Sequence, residues 1–197
     1  MIITVASFKG GVGKTTTAIH LATYLQQSAP TLVVDGDLNR SALQWASAGR
    51  LPFTVVSEDD APTRMPDYRH VVIDTPARPD PAELGEMAQG SDLLVIPTTP
   101  GVLAISALLQ TVETLRQLGA QRYRVLLTMV PTYRSSVTSE ARAAMEEAGL
   151  PLFAGDIRHL VAHEHAALAG VAVRDLQHSN AGKAWADYEA IGKEIAP

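Results

Sequence analysis

The chain has 197 residues, 46% of them hydrophobic and 19% charged, with a formal net charge of −5 and no cysteine. This balance fits one globular domain with a sizeable core, and it excludes a disulfide framework and cysteine-ligated zinc or iron–sulfur centres. The acidic balance leaves no general attraction to polyanions, so any nucleic-acid contact needs a local basic patch.

In chain order, residues 2–8 form the first expected strand. Met1-Ile2-Ile3-Thr4-Val5 has no basic region before it, so it reads as a strand and not a signal peptide. Further strands are expected at 31–35, 70–74, 93–97 and 124–129, with another at 152–157. These runs are rich in Val, Ile and Leu without polar alternation, as in strands buried on both faces of a parallel sheet. Helical spacing of apolar residues marks 15–27, 105–118, 137–148 and 184–195. Residues 58–67, polar and containing proline, read as a surface loop. The alternation predicts a single-domain α/β fold over residues 1–197, a mostly parallel twisted sheet flanked by helices with right-handed crossovers. No apolar run approaches the ~20 residues that cross a bilayer, and the lack of thiols fits a reducing cytoplasm.

The strongest motif is Lys9-Gly10-Gly11-Val12-Gly13-Lys14-Thr15-Thr16, between an expected strand and an expected helix. Glycines let backbone N–H groups close on phosphate oxygens, and the helix N-terminus adds its own unpaired N–H groups. Lys14 is expected to reach the β- and γ-phosphates of ATP, the Thr15 hydroxyl to bind Mg²⁺, and Thr16 to touch the α-phosphate. The general pattern G-x-x-x-x-G-K-S/T has glycine where this chain has Phe8, and a second lysine, Lys9, stands near the start of the loop instead.

The form K-G-G-x-G-K-S/T resembles the deviant Walker A motif of the ParA/MinD family of P-loop ATPases. The resemblance implies an ATP-dependent homodimer in which Lys9 reaches the partner's phosphates. Thr31-Leu32-Val33-Val34-Asp35-Gly36-Asp37 is similar to the D-x-D of that family's first switch. By that match Asp37 orients the attacking water and Asp35 sits near Mg²⁺. Leu38-Asn39 replaces the family's frequent Pro-Gln. His70-Val71-Val72-Ile73-Asp74-Thr75-Pro76 resembles Walker B followed by the second switch, with Asp74 suited to Mg²⁺ directly or through water. The segment Leu94-Val95-Ile96-Pro97-Thr98-Thr99-Pro100 resembles one that shapes the nucleotide pocket and dimer face; a proline-stiffened strand end is the plainer reading. Related proteins recognise adenine near Met129-Val130-Pro131, and Met129 and Pro131 are expected to pack on a base, although the asparagine frequent there is absent.

His159, His163 and His165 lack the H-E-x-x-H zinc pattern and read as surface residues of a helix. The ParA branch binds DNA non-specifically through Lys and Arg. Arg158, Arg174 and Lys183 are the candidates here, then Lys193, Arg122, Arg124 and Arg134, with no motif to select among them. The stripe Trp185, Tyr188, Ile191 and Ile195 has an acidic polar face, so it is expected to pack on the sheet and not on a membrane.

The short length and the immediate start at the loop resemble the small ParA type. That likeness implies a slow ATPase whose nucleoid-bound dimers are released when a cargo adaptor stimulates hydrolysis, as in plasmid partition or carboxysome positioning. The competing class is a metabolic P-loop enzyme that activates a carboxylate with ATP, of the dethiobiotin- or cobyrinate-synthetase type. A nitrogenase-iron-protein role is excluded, because its cluster needs cysteine.

Overall fold

The computed structural model describes residues 1–133 and 136–196. Its centre is a six-stranded sheet of order β3-β2-β4-β1-β5-β6, with every neighbouring pair parallel. The strands are β1 (Ile2–Ser7), β2 (Thr31–Asp35), β3 (Thr54–Ser57), β4 (His70–Ala77), β5 (Leu93–Thr98) and β6 (Tyr123–Leu127). The helices are α1 (Lys14–Leu25), α2 (Ser41–Ala46), α3 (Ala61–Arg64), α4 (Pro81–Gly90), α5 (Val102–Gln117), α6 (Ser136–Glu147), α7 (Ala162–Ala169) and α8 (Ala181–Ile195).

The continuous apolar runs are explained by burial on both faces. Val33, Val72, Val95 and Leu126 join a core with α1, α2, α7 and α8. Alternate residues Leu94, Ile96, Val125 and Leu127 join a second core with α4, α5 and α6, and Leu32, Val34 and Val71 join a third beside α3. The stripe on α8 is used in the first core: Tyr188 and Ile191 are buried, and Gly192 lies so close to Tyr24 that an added Cβ would stand 2.3 Å from its ring. No helix of the described residues is long and apolar enough to cross a membrane.

Several expectations are corrected. Residues 152–157 do not form a strand; they make one isolated bridge, Val125 to Leu152, and a second, Val130 to Arg158, follows just beyond them. The cause is local. The N–H groups of Ala154 and Gly155 donate to the Glu194 carboxylate of α8 at 3.1–3.2 Å and so are lost to the sheet. The loop at 58–67 holds the single turn α3 and a 3₁₀ turn, Met65–Asp67, although most of it is exposed. β3, α2, α4 and α7 were not expected.

Candidate functional site

Strands of one direction place all their carboxyl ends on one side, where an open α/β sheet binds ligands. β1 lies between β4 and β5, so the loop after it emerges at the middle of that edge. Gly11 and Gly13 take φ of 73° and 83°, a left-handed backbone that L side chains avoid. Gly10, Gly11 and Gly13 would each have open space at an added Cβ, so nothing of the protein occupies the cradle they form. Lys14 is 8% exposed and has no carboxylate within ion-pair distance among the described residues. Lys9 is exposed on the lip of the same loop. The cavity here, about 780 Å³, is lined by the loop, Asp37, Asn39, α2, Met129 and Leu168.

Thr15 Oγ1 donates to Asp74 Oδ2 at 2.6 Å, while Asp74 Oδ1 is buried without a partner. Burial pushes the Asp74 carboxyl up to about 7, aided by the neighbouring Asp35 and opposed by the Thr15 hydrogen bond. An orphaned buried carboxylate oxygen beside a hydroxyl is a hard-oxygen donor set, and it fits Mg²⁺ completed by waters and phosphates. No cluster of three His, Asp or Glu side chains able to cage a metal occurs among the described residues.

Asp35 is fully buried opposite Asp74 in the β2–β4 register. Its carboxylate accepts from Asp37 N at 3.1 Å and Leu43 N at 2.9 Å, and Arg40 Nη1 donates to its carbonyl at 2.7 Å. Both carboxylate oxygens thus organise the turn and the first turn of α2, a use the motif alone did not suggest. Asp37 lines the cavity and accepts from the backbone N and Nδ2 of Asn39, both at 2.9 Å.

A smaller cavity of about 200 Å³ opens beside the loop, sharing Gly13 and Thr16 with it. Its walls are Trp45, Met129, Leu160, His163, Ala167 and Tyr188. It is mostly apolar and adjoins the phosphate cradle, which is the form a nucleobase site takes. Met129 reaches it from a left-handed turn at φ 53°, and Thr128 ties this strand end to the loop by donating to Val12 O at 2.8 Å. Pro131 does not reach it. The chain is drawn away by Val130 N donating to Ile157 O and His159 N to Val130 O, and Pro131 lines a separate surface cavity with Tyr133 and Arg142.

The histidines also divide. His159 and His165 are exposed, but His163 is half-buried with both ring nitrogens unpartnered, packed edge-on against His20 and Tyr188. His20 is fully buried, and burial holds its imidazole down at about 3, so the ring is neutral.

With this geometry in view, residues 3–171 match the CobQ/CobB/MinD/ParA nucleotide binding domain. The chain belongs to that family. It is 37% identical over 201 residues to the maintenance of carboxysome distribution protein A of Gloeobacter kilaueensis, covering 98% of this chain and 93% of that one. The protein of the same description from Halothiobacillus neapolitanus is 26% identical over 99% of this chain and 96% of that one. Among solved structures, apo McdA from Cyanothece has a TM-score of 0.75 at 22% identity, with 96% and 98% of the two chains covered. A putative plasmid partition protein from Borrelia burgdorferi bound to AMPPNP gives 0.74 at 20% identity, with 98% and 97% covered. These two structures speak to the fold alone.

In this CobQ/CobB/MinD/ParA member the basic residues considered for DNA are mostly committed elsewhere. Arg158 makes a forked pair with Asp187 at 2.7–3.1 Å and also donates to Lys183 O. Arg174 faces Asp175 at 3.4 Å and lies over the Trp185 ring. Arg122, Arg124 and Lys193 face Asp92, Glu194 and Glu189. Lys183 is exposed and forms no ion pair among the described residues. Arg134 lies outside the described residues.

Proposed function

We propose that this protein is a Mg²⁺-dependent ATPase that positions a cargo on DNA, pairing with a second copy when ATP is bound. The observation that carries the reading is the pair of lysines on one loop. Lys14 is buried at the phosphate cradle, where it serves its own nucleotide. Lys9 is exposed on the lip, where it can serve a nucleotide held by another copy. A cation supplied from outside stabilises charge spreading over the transferring phosphoryl group.

Thr15 and Asp74 would hold Mg²⁺, which neutralises phosphate charge when bound. The backbone amides of residues 10–16 bind the phosphates, and Asp37 orients the attacking water. Asp35 acts through its hydrogen bonds to the Asp37 turn and α2. Met129 and the apolar walls around it hold the base.

The relative from Gloeobacter supports a carboxysome-type cargo; in this proposal an adaptor protein on the cargo stimulates otherwise slow hydrolysis. Among the candidate cations within the described residues, Lys183 alone forms no ion pair, and pairing of two copies would double its contact with DNA. The protein would act in the cytoplasm, on the nucleoid. The test is binding to non-specific duplex DNA with ATP, with ADP and without nucleotide, at low and moderate salt. ATP-dependent, salt-sensitive binding is expected. No binding in any state, with ATP binding confirmed, would transfer the protein to the carboxylate-activating enzymes of the family.

A further inference from the structure

Two tethers converge on residues 171–173. Trp45, near the end of α2, donates from Nε1 to Val171 O at 2.9 Å. Val173 N donates to His20 Nε2 at 3.1 Å. His20 Nε2 is therefore an acceptor, so Nδ1 carries the proton and donates to Thr16 O, in the phosphate loop, at 2.7 Å. The Trp45 and His20 rings meet edge to face at 5.8 Å.

The neighbouring Gly170 presses the same segment onto α2. A Cβ there would stand 2.3 Å from Ala48 Cβ and 3.2 Å from Trp45 O, so a side chain would drive the two apart. Trp45 itself is 7% exposed, and it forms part of the wall of both cavities. At its other end α2 is held by Asp35, through Leu43 N, and by Arg40 on the Asp35 carbonyl. One short helix thus links the turn that carries Asp37 to the wall of the base cavity.

We propose that Trp45 is a positioning residue for hydrolysis: it holds α2, and with it Asp37, in register with the phosphate loop, and a purine base filling the smaller cavity seats that link. The inference rests on the reading of Asp37 given above. Because the link runs from the base side, a triphosphate without a base fills the phosphate loop yet leaves Trp45 with no base packed against it, and α2 keeps only the tethers to Val171 and Asp35. Hydrolysis then depends on the base as well as on the phosphates.

Trp185 is the only other tryptophan, so Trp185→Phe isolates the emission of Trp45. The expected result is a change in that emission with Mg²⁺-ATP and none with Mg²⁺-tripolyphosphate, shown by competition to occupy the site. Trp45→Phe keeps a ring but removes the N–H to Val171, and it should lower kcat at least ~10-fold while KM stays within about threefold. An unchanged kcat, or a raised KM alone, would reduce Trp45 to a pocket wall and overturn the proposal. If that variant does not fold, the emission decides: equal changes with both ligands, or no change with ATP, overturn it. A wild type that binds ATP and never hydrolyses it would instead strike the ATPase reading itself.

Discussion

The two halves of the nucleotide site are built differently. The phosphate half is local: one loop, one helix start and two strand-end aspartates, arranged by glycine backbone geometry and by the hydrogen bonds those aspartates accept. The proposed base half is assembled by packing, from Trp45 on α2, Met129 after β6, His163 on α7 and Tyr188 on α8. A local device fails when one group is lost. A packed wall fails by degrees, so substitutions should separate the halves by the size and kind of their effects.

The largest effect belongs to the phosphate half. Lys14→Ala removes a charge-assisted contact and should weaken ATP binding at least ~100-fold by titration calorimetry, with the fold intact; binding within a few-fold of wild type would mean that the loop is not the phosphate site. Next, Asp37→Ala should keep ATP affinity within about threefold and slow single-turnover hydrolysis by ~100-fold. Normal turnover would remove Asp37 from the mechanism.

A third measurement concerns the packed half. His20 is neutral when folded, held at about 3 against an ordinary 6.5 chiefly by burial, so acid favours the unfolded chain. Its contribution is fully present above pH 6.5 and is lost as pH falls toward 3. Denaturant titrations should show stability falling by up to about 1.4 kcal/mol per pH unit there, more gently in His20→Gln. Equal slopes would place the acid sensitivity elsewhere.

The smallest effect distinguishes free from committed cations. Lys183→Ala should lower the slope of log K for DNA against log salt by ~1 for each copy engaged. Arg158→Ala should leave that slope unchanged and cost stability, because the variant removes the guanidinium from Asp187 and leaves it only the backbone N–H of residue 158. The reverse pattern would relocate the DNA surface.

The same contrast explains what is legible in the sequence. β1, β2, β4 and the phosphate loop announce themselves, because a parallel core requires unbroken apolar runs and a phosphate cradle requires glycine. β2 starts and ends where its composition places it, at Thr31 and Asp35. The capping box Asp80-x-x-Glu83 that opens α4 was present to be read, with Asp80 accepting from Ala82 and Glu83 and the Glu83 side chain answering to Asp80 N. The remainder is tertiary. Nothing in residues 152–157 shows that Glu194, some forty positions away, takes their amides. Nothing near Pro131 shows that Val130 pairs with Ile157 and His159 and carries it past the smaller cavity. Trp45 and His163 have no motif, and only the fold brings them to the phosphate loop. Arg122, Arg124 and Arg158, read as candidates for a DNA surface, are paired with carboxylates distant in sequence, which the sequence does not show.

The central claim, that ATP pairs two copies through the exposed Lys9, is tested most directly by light scattering of the 21.0 kDa chain with Mg²⁺-ATP, in the Asp37→Ala background that is expected to spare the nucleotide. The account predicts twice the monomer mass with ATP and monomer with ADP, and a shift back toward monomer when Lys9→Ala is added. A monomer that holds ATP, or a dimer indifferent to both nucleotide and Lys9, would contradict it.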